Sequence, residues 1–163
     1  MTKLSLVALA LASGLSLSGA TSASAGTGVC SPIGGVAIPN FFAEGEGNPI
    51  IISATLIGSV QNAAGKITSQ RETATGLEMD MEHYFGRADG GAFQTKDLGI
   101  FTAVPGKPGR YMLEISYDIQ EGTGRGTLEG ANGSFNSYGL VDLRDPSNLE
   151  GLVRYSGEIC LDD

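Results

Sequence analysis

Gly122-Thr123-Gly124-Arg125-Gly126-Thr127-Leu128-Glu129-Gly130-Ala131-Asn132-Gly133 is the stretch on which the reading of this chain turns. Five of its twelve residues are glycine, too many for one regular strand or helix along its whole length. Within a sheet, glycine marks bulges, tight bends and barrel corners. Immediately before it runs the cleanest alternation in the chain, Tyr111, Leu113, Ile115, Tyr117 and Ile119. Strand-like residues resume after it. The stretch therefore reads as a tight connection plus a kinked strand in an antiparallel sheet.

Working outward, the same strand signals recur. They place strands over 50–60, 66–75, 78–86, 92–97, 98–104, 111–119, 134–143 and 149–161. Residues 61–65, 87–91, 105–109 and 145–148 read as turns, the last with Pro146 at the second position of a β-turn. No stretch sustains a helical period. About eight short strands imply an all-β fold, a sandwich or a barrel; with one apolar face per strand, a single antiparallel barrel is favoured because closure removes exposed edges.

The 87–91 loop also fixes a register. A hairpin centred on Asp89 sets Phe85 opposite Phe93, His83 opposite Thr95 and Met81 opposite Asp97. A slip of one residue would undo all three pairs.

The ends carry different information. Lys3, an apolar run over 4–12 and Ala23-Ser24-Ala25 form the pattern of a secretory signal peptide over 1–25. Residues 26–48, rich in Gly and Pro, read as an N-terminal irregular arm, with Phe41 and Phe42 packing on the domain. The barrel domain is then 49–163. No segment is long and apolar enough for a membrane-spanning helix. These features place the chain outside the cell or in a periplasm.

Without Lys3 the chain has nine basic and 18 acidic side chains, a formal charge of −9. That balance argues against nucleic acid and anionic membrane as partners. Cys30 and Cys160 are the only cysteines, and export permits them to pair as a disulfide. No metal site is expected, since one histidine and no close carboxylate pair make a poor ligand set. No cofactor is expected either. Gly122-Thr123-Gly124 lacks the Lys-Ser/Thr and the following helix of a phosphate loop.

The segment 124–133 resembles a pattern of the allene oxide cyclase and dirigent barrel group: Gly, Thr or Ser, Gly, any, Phe, any, any, Ala, any, Gly. Gly124, Gly126, Ala131 and Gly133 match it at its spacing; Arg125 and Leu128 depart from it. His83-Tyr84-Phe85, Thr95-Lys96-Asp97 and Tyr155-Ser156-Gly157-Glu158-Ile159-Cys160 also resemble small secreted bacterial members. The resemblance implies an eight-stranded antiparallel barrel, a trimer in many plant members, acting on apolar, oxygenated small molecules. It assigns no catalytic residue here. The absence of Trp sets the chain apart from lipocalins and avidins.

His83 is the one residue suited to proton chemistry near neutrality. It shares a face with Met79, Met81 and Phe85. It reads either as a core histidine with a satisfied hydrogen bond or as an acid/base or ligand-orienting group. Thr95 and Asp97 on the facing strand could orient it, although Asp97 also reads as a strand-end residue. Tyr111 and Tyr117 either line a pocket or simply pack. Two functions follow: a secreted barrel that binds a small apolar or oxygenated molecule, or a cyclase or isomerase using the same cavity.

Overall fold

Alternation along each strand decides which side chains meet inside. The computed structural model describes residues 28–43, 48–145 and 150–162; the expected signal peptide lies outside them, as does most of the 145–148 turn. The strands are β1 (Val29–Ala43), β2 (Ile50–Gly58), β3 (Asn62–Thr73), β4 (Gly76–Gly86), β5 (Ala92–Ala103), β6 (Arg110–Ile119), β7 (Ala131–Asn132), β8 (Ser134–Asp142) and β9 (Glu150–Leu161). β1 to β6 pair antiparallel in sequence order, β6 pairs β8, β8 pairs β9, and β9 returns to β1. The result is a closed antiparallel barrel of eight strands, as the alternation implies. The two-residue β7 lies outside the ring, paired to the end of β9. No α-helix occurs among the described residues.

The eight barrel strands are not the eight read from sequence. Residues 92–97 and 98–104 form one strand, β5, which pairs without interruption along both neighbours. Residues 61–65 are not a turn: β3 begins at Asn62. The segment expected as an irregular arm is largely β1, which closes the barrel. Its first half pairs β9 and its second half pairs β2, the two overlapping only over Gly35, Val36 and Ala37. Pro32 and Pro39 fall in the halves with one partner strand, where a missing N–H costs no ladder bond on the open side. Phe41 is half-buried against the core, whereas Phe42 points outward. Cys30 pairs Cys160 directly across the β1–β9 seam, and the two form a disulfide.

The hairpin register holds as read: Phe85 opposes Phe93, His83 opposes Thr95 and Met81 opposes Asp97. One end of the barrel carries the β2–β3, β4–β5 and β6–β8 connections. The glycine stretch covers that end. Its residues Gly126–Leu128 form a single 3-10 turn, and Leu128 drops into the core. Arg125 exchanges two backbone hydrogen bonds with Ala92, at 2.8 and 3.1 Å, tying the stretch to β5. Below Leu128 the aromatic rings of Phe85, Phe93, Tyr117 and Phe135 stack and cross with centroids 4.5–6.1 Å apart.

Gly126 has φ of +60°, and a Cβ there would lie 2.5 Å from the Gly90 carbonyl oxygen. Both conformation and space reserve the position for glycine. Gly126→Val is expected to cost more than about 1 kcal/mol and to lower the melting midpoint clearly in calorimetry. An unchanged midpoint would mean that the 3-10 turn does not plug the barrel.

Candidate functional site

The inner faces of β4, β5, β6 and β8 bring the polar interior groups together. His83 is only 6% exposed, although it sits among Met81, Phe85 and Tyr117. Its Nδ1 lies 2.6 Å from Asp97 Oδ2. The carboxylate accepts, so Nδ1 carries the proton and the ring is fixed in orientation. Asp97 does this from the middle of β5. The strand-end reading of Asp97 fails because β5 continues to Ala103.

Space for the ring comes from β3. Gly65 pairs His83 across the β3–β4 ladder, and a Cβ at Gly65 would run into His83 Cδ2 and the Glu82 carbonyl oxygen. The interior glycine is the mould in which the imidazole lies.

Thr95 stands opposite His83 and is fully buried, yet it is not the orienting group. Its Oγ1 and Asp97 Oδ1 are buried without a hydrogen-bond partner among the described residues. Tyr117 belongs to the site: its ring meets His83 edge-on at 5.7 Å, and its hydroxyl lies 3.1 Å from Ser137 Oγ. Tyr111 does not. It sits at the opposite end of β6, half-buried and edge-on to Phe101.

The sequence reading passed over Ser137 and Tyr155. Ser137 lies between Phe135 and Gly139 on the inner face of β8, a parity that was readable. Tyr155 Oη accepts from Val60 N at 3.1 Å and donates to Val60 O at 3.3 Å, which locks β9 to the turn after β2.

These groups border an internal cavity of about 50 Å3. Its walls are apolar except for His83, Tyr117, Ser137 and Tyr155. Half-buried Ala37, Ala54 and Phe41 make its least covered side. Asp97 occupies Nδ1, so Nε2 is the ring nitrogen left for an occupant of the cavity. The arrangement can hold and orient one hydrogen-bonding group, or exchange one proton with it. An eight-stranded barrel has an interior just wide enough for its own side chains, which explains the small void.

No family model, curated protein or solved structure matches the chain.

Gly65→Ala is expected to displace the imidazole and loosen the bond to Asp97. The 15N shifts of the His83 ring should move and stability should fall by more than about 1 kcal/mol. Unmoved ring resonances would mean that Gly65 does not set the pose. Burial raises the pKa of the Tyr117 phenol well above its ordinary value; the Ser137 hydrogen bond opposes this and the nearby Asp97 charge adds to it. The folded protein therefore keeps Tyr117 neutral where the unfolded chain, ionising near about pH 10, does not. That contribution to stability is complete below about pH 10 and falls as pH rises above it. Spectrophotometric titration should find at least one of the five tyrosines ionising only with alkaline unfolding. Five tyrosines ionising together while near-UV circular dichroism stays native would contradict this.

Proposed function

We propose that this chain is an exported barrel that binds a small apolar molecule bearing one hydroxyl, with His83 as the polar contact inside. The observation that carries the reading is the Asp97–His83 pair, which engages Nδ1 and leaves Nε2 as the ring nitrogen that can hydrogen-bond to whatever fills the cavity. Apolar walls around a few convergent polar groups are the usual make-up of a small-molecule site. Export is supported by the 1–25 pattern and by the Cys30–Cys160 disulfide.

The volume constrains the ligand. A cavity of about 50 Å3 is small beside the several hundred that sites for drug-sized ligands offer. A molecule of phenol's size gains room only by moving the least covered wall, at Ala37, Phe41 and Ala54.

The same pair favours a second reading, a cyclase or isomerase. A carboxylate that orients an imidazole whose other nitrogen faces the substrate is the arrangement of a general base. The closed eight-stranded barrel supports placing the chain beside the allene oxide cyclase and dirigent group. The departures at Arg125 and Leu128 count against it.

The test is a phenol titration of 15N-labelled protein, with mass spectrometry of any molecule that co-purifies. Phenol should shift the His83 Nε2 resonance saturably in the millimolar range. His83→Gln keeps a donor for Asp97 and should weaken binding about fivefold, the worth of one ordinary hydrogen bond. No saturable shift and no retained molecule would overturn the binding reading. Turnover of a retained molecule by wild type but not by His83→Gln would select the enzyme.

A further inference from the structure

The outer wall of the barrel is divided between two characters. Over β3 to β6 it carries a ladder of alternating charge, Lys66, Glu82, Lys96 and Asp118, each opposite the next. Across β5, β6, β8, β9, β1 and β2 it carries two adjacent rows that are mostly apolar. In one, Met112, Leu140 and Leu152 stand directly across from one another, and Ile38 continues on the outer face of β1. The adjacent row runs Ile100, Glu114, Tyr138, Arg154, Val36 and Ile57. Seven of these apolar side chains (Ile38, Ile57, Ile100, Met112, Tyr138, Leu140 and Leu152) are each 44–68% exposed. A contiguous apolar stripe of this extent marks an interaction surface.

We propose that this stripe is the contact face for a second copy of this chain, in a two-fold dimer centred near Tyr138. Two observations select that occupant. Glu114 and Arg154 flank Tyr138 on one row, and neither makes an ion pair or side-chain hydrogen bond among the described residues. A two-fold axis beside Tyr138 sets Glu114 of each copy against Arg154 of the other, and an isologous contact satisfies both pairs at once. The stripe is also electrically balanced, with one acid and one base, on a chain whose formal charge is −8. It is an apolar wall on which two such acidic molecules can meet without like charges opposed.

Shape agrees. A groove of about 590 Å3 lies along Ile100, Met112, Glu114, Tyr138 and Leu140 and can receive a partner's side chains. The two rows and the flanking Leu98, Ser116, Asn136 and Ser156 come to fourteen residues, a contact smaller than the standard interface of roughly 20 a side. None of the exposed side chains of the stripe lines the interior cavity, so the two are tested by separate variants.

The test is sedimentation equilibrium of the purified protein from about 1 to 100 µM, a range spanning ordinary dimer affinities. The expected mass is twice that of the chain. Leu140→Lys, at the middle of the stripe, should give the single-chain mass with an unchanged far-UV spectrum. Glu114→Arg and Arg154→Glu should each weaken association about tenfold or more. The double variant, which restores the pairing with charges exchanged, should recover most of it. A monomer throughout the range, a three-chain mass, or a double variant no better than the singles would overturn the proposal. So would a monomer that floats with neutral phosphatidylcholine vesicles, which would assign the stripe to a lipid surface.

Discussion

The constraint behind the rest of the structure is the width of the barrel. Eight strands enclose an interior that their own side chains fill, so each large residue inside needs a small one beside it. The chain meets this with glycine at inward positions. Gly65 makes room for His83, Gly99 for Met81 and Phe101, and Gly35 for the Tyr155 ring. A strand that spends inward positions on glycine loses packing area and conformational preference there. The cost is offset by the aromatic and imidazole rings that the glycines admit. The fold and the polar interior are therefore products of one device.

Closure explains why a chain this rich in glycine keeps a defined shape. β1 divides its length between two partners in turn, β9 and then β2. The disulfide fastens the β9 half at its outer end, and Tyr155 fastens β9 to the turn beyond β2. In the chain-entropy view, a cross-link over 130 residues stabilises by about 4–5 kcal/mol, mostly through the unfolded chain. The seam is the one pairing that joins the two ends of the sequence. It carries the largest loop-closure cost, so the covalent link falls where chain entropy would otherwise oppose pairing most.

What could be read in advance follows from which signals are local. The β4–β5 register was legible because a short glycine loop and alternating side chains fix it within about twenty residues. It led directly to His83, Thr95 and Asp97. β1 was not legible, because Pro32, Gly34, Gly35 and Pro39 are strand breakers by local rules. Only the half-and-half pairing makes them harmless. The division of β5 between Asp97 and Leu98 was misplaced, since the ladder runs through it without a break; Gly99 just beyond pairs Met79 and leaves room for the Met81 side chain. Tyr111 was assigned to the site by face alone. Six residues along a strand is about 20 Å, so two residues on one face can lie at opposite ends of a barrel. Ser137 was missed for the converse reason. A small polar residue gives no hydrophobic periodicity, even when parity places it inside.

The interior pair bears on function more than on stability. Burying a carboxylate and an imidazole takes both out of water, and their mutual hydrogen bond recovers that cost only in part. A pair of well-packed apolar residues would fill the same volume between Gly65 and Tyr117 at no electrostatic cost. Asp97 and Thr95 each leave one buried oxygen unpartnered, a second expense that a purely structural core would shed. The arrangement is specific as well as costly. The carboxylate holds one ring nitrogen, a glycine clears the ring's path, and the ring borders the cavity. Two positions on the two strands flanking β4, Asp97 and Gly65, agree on one orientation of one imidazole. A side chain that only filled space would not need its orientation fixed, and one that contacts a ligand would.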